Sequence, residues 1–237
     1  LVEARSLAST LANDAMASGS VSDSGEAALA LVEISNELGE KAVAVSTAKS
    51  FVEKQALWGQ ATRMDQDPTL LFVRAVSRAG EWTQSEIEKR HSEWAARWGG
   101  RGRPGERWIA NASGVETRSE AEEVLSQLPA HQPLPPFLSS RAATTLGNVY
   151  LLSGQPAEAV KYLERAVAEC GVLRDPISFV HAARLLGDAY LASGDTAQAC
   201  TAYRRVLKRW SPKSTLKSET LALVRRGMVA ASCKPAD

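Results

Sequence analysis

The chain has 237 residues, 44% of them hydrophobic and 23% charged, with 28 cationic against 27 acidic side chains and a net charge of +1. At roughly 150 residues per domain this allows one elongated domain or two small ones, and the near-neutral balance excludes both a highly basic nucleic-acid coat and an acidic disordered tail. The longest purely apolar run, 27–32, has six residues where a membrane-spanning helix needs about 18 or more, so no span is expected.

Position 1 is Leu1, and no basic segment followed by an apolar stretch comes after it, so the sequence reads as a piece of a longer polypeptide whose localisation signals lie elsewhere. Alanine is frequent throughout, aromatic residues make up 6%, and strict alternation of β-branched residues is hard to find. An all-α fold of stacked antiparallel helical hairpins is expected. Leu7, Leu11 and Ala15, then Ala28, Leu31, Ile34 and Leu38, predict a helix pair turned at 19–25. A third helix is expected over 42–58. Thr83 with Glu86 three residues later forms a capping box that opens a helix running to about Trp98, and Thr117 with Glu120 opens another running to Leu128. Six tryptophans exceed the four Phe and four Tyr. A large ring seals the wedge between helices whose other contacts are Ala and Gly, so each Trp is read as core. Two stretches are linkers by composition: Gly99-Gly100-Arg101-Gly102-Arg103-Pro104-Gly105, flexible and basic, and 129–136, whose prolines favour an extended polyproline-like form. Residues 1–128 are thus expected to form degenerate helical hairpins, 129–139 a proline-rich linker, and 140–237 two repeats and a cap.

The repeat is internal and clear. Leu146-Gly147-Asn148-Val149-Tyr150-Leu151-Leu152-Ser153-Gly154 recurs forty residues on as Leu186-Gly187-Asp188-Ala189-Tyr190-Leu191-Ala192-Ser193-Gly194, with six of nine positions identical. Leu146 with Tyr150, and Leu186 with Tyr190, share a helical face. Gly147 and Gly187 are read as notches where a neighbouring backbone comes close. Gly154 and Gly194 end the first helix of each copy, and Pro156 and Asp195 open the second. Ala159 and Ala199 keep the gap small; Leu163 and Tyr203 are the large knobs. Ser211-Pro212 breaks the chain, and Leu216, Leu221, Val224 and Met228 mark a capping helix that covers the last hairpin.

These residues resemble the tetratricopeptide repeat, with its L-G-x-x-Y, Gly, Ala, aromatic or Leu, Ala order. Ala166 fits the last small position and Val206 departs from it. The resemblance implies a right-handed superhelix. Family repeats have about 34 residues, so the longer period places about six extra residues near 171–178, as a helix extension and a turn at Asp175-Pro176. More loosely, Trp108, Glu116-Thr117, the Pro133-Leu134-Pro135 run, Ala199-Cys200-Thr201-Ala202-Tyr203, Val206-Leu207-Lys208-Arg209-Trp210 and Cys233 are similar to the C-terminal repeat region of multidomain bacterial Ser/Thr protein kinases, especially those of myxobacteria. That resemblance implies a parent whose kinase domain does the chemistry while this region senses or docks. The chain itself lacks the lysine strand, H-R-D and D-F-G, so no enzyme is expected here.

No catalytic constellation is found. His91, His131 and His181 are far apart in sequence, with no H-x-x-x-H or C-x-x-C pair, so no metal and no cofactor are expected. No G-x-S-x-G elbow occurs. Cys170, Cys200 and Cys233 are an odd number. They read either as buried small hydrophobes in a reducing cytosol or, if the helix holding Cys200 runs antiparallel to the capping helix, as a Cys200–Cys233 disulfide with Cys170 left apart. A cytoplasmic location is expected, the periplasmic side of a membrane-anchored parent being the alternative. Beyond position 200 nine cations face two anions, and Arg204, Arg205, Lys208 and Arg209 are read as one basic face. First helices of stacked hairpins line a concave groove. Its expected partner-binding residues are Arg141, Thr144, Asn148 and Leu151 in copy one and His181, Arg184, Asp188 and Leu191 in copy two. By the family resemblance Asn148 stands where an amide holds a peptide backbone in carboxylate-clamp repeats, while Thr144 replaces the clamp lysine. The expected function is non-catalytic binding of a protein or peptide of acidic character, with a nucleic-acid-associated regulatory role on the basic face as the alternative.

Overall fold

The computed structural model describes residues 2–19, 21–55, 64, 67–99, 101, 103–131, 134–135, 138–168, 175–210 and 218–234. Among these there are twelve α-helices and no strand. The chain divides into two compact units, one of 1–114 with 128–135 and the other of 115–127 with 136–237.

The first unit holds α1 (Val2–Ser18), α2 (Val21–Glu37), α3 (Lys41–Lys54), α4 (Thr69–Arg78), α5 (Gln84–Trp98) and α6 (Pro104–Ala112), with a 3-10 turn at Leu128–His131. The expected helix pair forms, but its turn is tighter than predicted. Gly19 alone takes the left-handed φ of 74°, and Gly25 lies inside α2. The apolar stripe of α1 is also displaced. Leu7 and Leu11 are 62% and 52% exposed while Ala8 and Ala12 are buried, because α1 meets α2 through its smallest side chains, which let two backbones approach. Phe51 and Phe72 meet edge to face at 5.3 Å within a core that includes Val73, Val76 and Trp82. Trp94 and Trp98 close a second cluster with Met64 and Leu70. The buried Asp67 carboxylate ties these elements together. It accepts from Trp98 Nε1 at 2.8 Å, Gln55 Nε2 at 3.2 Å and the Thr69 backbone N–H at 3.0 Å, and it pairs with Arg97 at 3.4 Å. Such a charge is tolerated only because every side is occupied.

Two expectations fail in this region. The glycine-rich linker is shorter than its composition suggests: Pro104 and Gly105 are the first residues of α6, where a proline lacks only an N–H that would be unsatisfied anyway. The proline-rich stretch opens as the 3-10 turn at Leu128–His131, not as extended chain. Neither α4 nor α6 was anticipated, since each is short and carries no side-chain N-cap. The Thr83–Glu86 capping box is formed, with Thr83 N–H donating to Glu86 at 2.8 Å.

The second unit holds α7 (Arg118–Gln127), α8 (Ser140–Leu152), α9 (Pro156–Ala168), α10 (Pro176–Ala192), α11 (Thr196–Arg209) and α12 (Glu219–Ala230). Thr117 and Glu120 open α7 as expected. The division of units puts α7 with the repeats, whereas a boundary at 128 would leave it upstream; it packs on α8. Helices α8 to α11 form two hairpins stacked through α8, α9 and α10, and α12 packs on both α10 and α11. Each first helix ends in the same way. Gly154 and Gly194 adopt φ of 78° and 83°, and Gln155 and Asp195 N–H groups return to Tyr150 and Tyr190 carbonyls at 2.9 Å, a closure that needs a left-handed residue. Asp195 caps α11 through Gln198 N–H at 3.0 Å. Asp175 caps α10 and Pro176 is its first residue, so this pair starts a helix instead of making the expected turn.

The glycine notches receive side chains where a backbone was expected. A Cβ on Gly147 would sit 2.3 Å from Leu163 Cγ, and one on Gly187 would sit 2.4 Å from Tyr203 Cε1. A Cβ on Gly227 of α12 would likewise sit 2.5 Å from the Tyr203 ring. Leu221 and Val224 are buried in the expected capping role and Met228 packs beside them. Trp58, Cys170, residues 171–174, Ser211, Pro212 and Leu216 lie outside the described residues.

Candidate functional site

Arg141, Thr144, Asn148 and Leu151 recur at spacings of three and four along α8, as do His181, Arg184, Asp188 and Leu191 along α10, so each set occupies one face of its helix. All eight are half-buried. Much of that burial is internal. Arg141 forms an ion pair with Asp175, the N-cap of α10. Thr144 Oγ1 donates to Ser140 O at 2.8 Å. Asn148 Nδ2 donates to the backbone carbonyl of Val115 at 2.8 Å, so this amide already holds a stretch of its own chain. Arg184 meets Asp188 at 2.5 Å, and the other oxygen of Asp188 accepts from Tyr203 OH at 2.7 Å. Leu151 packs toward the second repeat, and Leu191 toward the cluster that contains α12.

The electrostatics follow from these partners. Burial acts to raise the Asp175 pKa, but the charge of Arg141 and the hydrogen bonds from Ser178 outweigh it and hold the carboxyl below its ordinary value. Burial, then the hydrogen bond to Asp188, pushes the Tyr203 phenol far above its usual range. Burial also lifts Tyr150, which stacks on Tyr162 at 5.4 Å, to about 12. These phenols stay neutral at physiological pH. Among the described residues no group of three or more His, Cys, Asp and Glu is placed to hold a metal ion.

The basic residues of α11 have different neighbours. Arg204 turns to the C-terminal segment and donates to Lys234 O at 3.0 Å. Arg205, Lys208 and Arg209 are exposed and line a cleft between α9 and α11, of about 910 Å³, with Phe179, Leu186 and Tyr190 among its other walls. The Arg209 guanidinium lies 5.6 Å from the Phe179 ring centroid. The sequence signal for the cations was visible, but the cleft was not, since it needs two second helices from different repeats. Cys200 and Cys233 are joined in a disulfide with Cα atoms 5.5 Å apart. It connects α11 to the segment just past α12.

Residues 140–169 and 182–214 each match a family model described as a tetratricopeptide repeat. The two matched stretches fall on the hairpins α8–α9 and α10–α11 of the second unit. No curated protein and no solved structure matches the chain. No helix among the described residues is long and apolar enough to cross a membrane.

Proposed function

We propose that the chain is a non-catalytic protein-interaction module that docks or senses for a larger bacterial signalling protein such as a Ser/Thr kinase. The observation that carries this reading is the pair of stacked tetratricopeptide repeats, whose first-helix faces present polar and cationic side chains in two equivalent rows. A partner on that face is a peptide or protein with acidic groups, recognised by Arg141, His181 and Arg184 together with Thr144, Asn148, Asp188, Leu151 and Leu191. Binding there competes with the internal pairs of Arg141 and Arg184, so affinity is moderate and falls as salt rises. The Cys200–Cys233 disulfide favours an oxidising compartment, hence the periplasmic side of a membrane-anchored parent over the cytoplasm.

Selection of a displayed library of 12-residue peptides on the intact chain tests the module reading. Enrichment of a sequence family that binds in solution, and loses binding when His181 and Thr144 are replaced, supports it. Repeated selection with no enriched family, on protein shown to be folded by circular dichroism, rejects it. The coding sequence around this segment tests the parent: a kinase domain in the same reading frame supports the signalling context, and a DNA-binding domain favours the nucleic-acid alternative.

A further inference from the structure

On α10, Phe179, Leu186 and Tyr190 are separated by seven and four residues and share one face, turned away from the row of His181, Arg184, Asp188 and Leu191. The cleft they line with α9 and α11 is thus a different surface from the first-helix face on which the proposed function rests. Its character is asymmetric. The α11 wall carries Arg205, Lys208 and Arg209 within about one helical turn, and none of the three has a carboxylate partner among the described residues. The floor is aromatic and aliphatic, while the α9 wall carries Glu164, which accepts a hydrogen bond from Tyr190. Exposed cations on one side, with no carboxylate partner among the described residues, over an apolar floor match a chain segment with carboxylates along one edge and apolar side chains below. They match a nucleic acid poorly, because its phosphates would meet Glu164 on the facing wall.

We propose that the cleft between α9 and α11 docks an acidic amphipathic peptide segment, its carboxylates on Arg205, Lys208 and Arg209 and its apolar side chains over Val167, Ala168 and Tyr190. This rests on the module reading and adds a second contact surface on the other side of α10. Arg209 is held in place by its position over the Phe179 ring, which reduces the ordering cost of binding. The volume of about 910 Å³ falls near the upper end of the ~300–1,000 Å³ typical of built sites, which is room for several side chains.

The probe is a fluorescein-labelled 14-residue peptide with Glu along one helical edge and Leu and Phe along the other, followed by anisotropy on the full chain. Binding is expected to weaken at least about tenfold in the exposed double variant Arg205→Glu with Lys208→Glu. Thr201→Trp, which plugs the cleft from an exposed position, should weaken it comparably, and raising the salt should weaken it further. Arg225→Glu with Arg226→Glu, the same charge change on exposed residues of α12, should leave it within about twofold. The proposal is overturned if the peptide does not bind or a scrambled peptide of equal composition binds as well. It is also overturned if the α12 variant loses as much as the α11 variant, if Thr201→Trp has no effect, or if a DNA duplex displaces the peptide and binds more tightly. Loss of binding through His181→Ala and Thr144→Ala, with the α11 variants unaffected, removes this cleft while leaving the module reading standing.

Discussion

In the first repeat Leu163 lies over Gly147 and the Asn148 amide is satisfied by the Val115 carbonyl; in the second, Tyr203 lies over Gly187, also meets Gly227, and gives its hydroxyl to Asp188. Both copies use the same notch in the first helix and the same knob position in the second. Their polar neighbours point to different places. The aliphatic knob serves one interface, whereas the tyrosine joins α10, α11 and α12 at one point, where the disulfide also ties α11 to the end of α12. A repeat motif thus specifies the hairpin, and the residue on its knob decides how firmly the array is closed.

Opening the disulfide should separate the two repeats most sharply. It closes a loop of sequence separation 33, which corresponds to on the order of 3–4 kcal/mol in the chain-entropy description. Cys233→Ser is expected to lower the urea midpoint and to raise hydrogen exchange in α11 and α12 while α8 and α9 hold theirs. Equal loosening of both hairpins would erase the distinction drawn above. Next in size is Gly187→Ala, where the new methyl collides with a ring fixed from both sides; a loss of about 1–3 kcal/mol is expected. Gly147→Ala should cost less, since Leu163 meets one notch where Tyr203 is also hydrogen-bonded to Asp188 and packed on Gly227, and thermal unfolding of the two variants measures the gap. Asn148→Ala should cost about 1 kcal/mol by leaving the Val115 carbonyl without its donor, with Asn148→Gln a check on whether reach or chemistry matters.

The smallest effect is the pH dependence of the link between the repeats. The folded state lowers the Asp175 pKa, so its interaction with Arg141 contributes stability above the ordinary carboxylate range and loses it as pH falls through the lowered value. The melting temperature of the chain should exceed that of Asp175→Asn near neutral pH, and the difference should close below about pH 4. A difference that persists at acid pH would assign the effect to the cap on α10, not to the ion pair.

Some of this was legible without coordinates because it rests on short-range rules. The left-handed closures at Gly154 and Gly194, the Asp195 cap, the Thr83–Glu86 box and the Leu221–Val224 stripe each depend on residues a few positions apart, and backbone hydrogen bonding and helical period fix their roles. The Cys200–Cys233 pairing followed one of two open readings, since antiparallel helices bring the start of one near the end of the next. Other features could not be read locally. Leu7 and Leu11 look like core until α2 is seen to take the alanine face of α1, and Pro104-Gly105 looks like linker until α6 starts there.

Composition and spacing alone determined that the chain is helical, that 140–210 repeats, and where those hairpins turn. Only tertiary structure decided that α7 joins the repeats, that Asn148 holds its own chain, that Tyr203 wedges between two glycines from different helices, and that Arg204 parts company with Arg205, Lys208 and Arg209. The reason is distance along the chain. Caps and turns are settled by neighbours within one helical turn, while the occupant of a notch or the wall of a cleft comes from a segment tens of residues away, selected by packing.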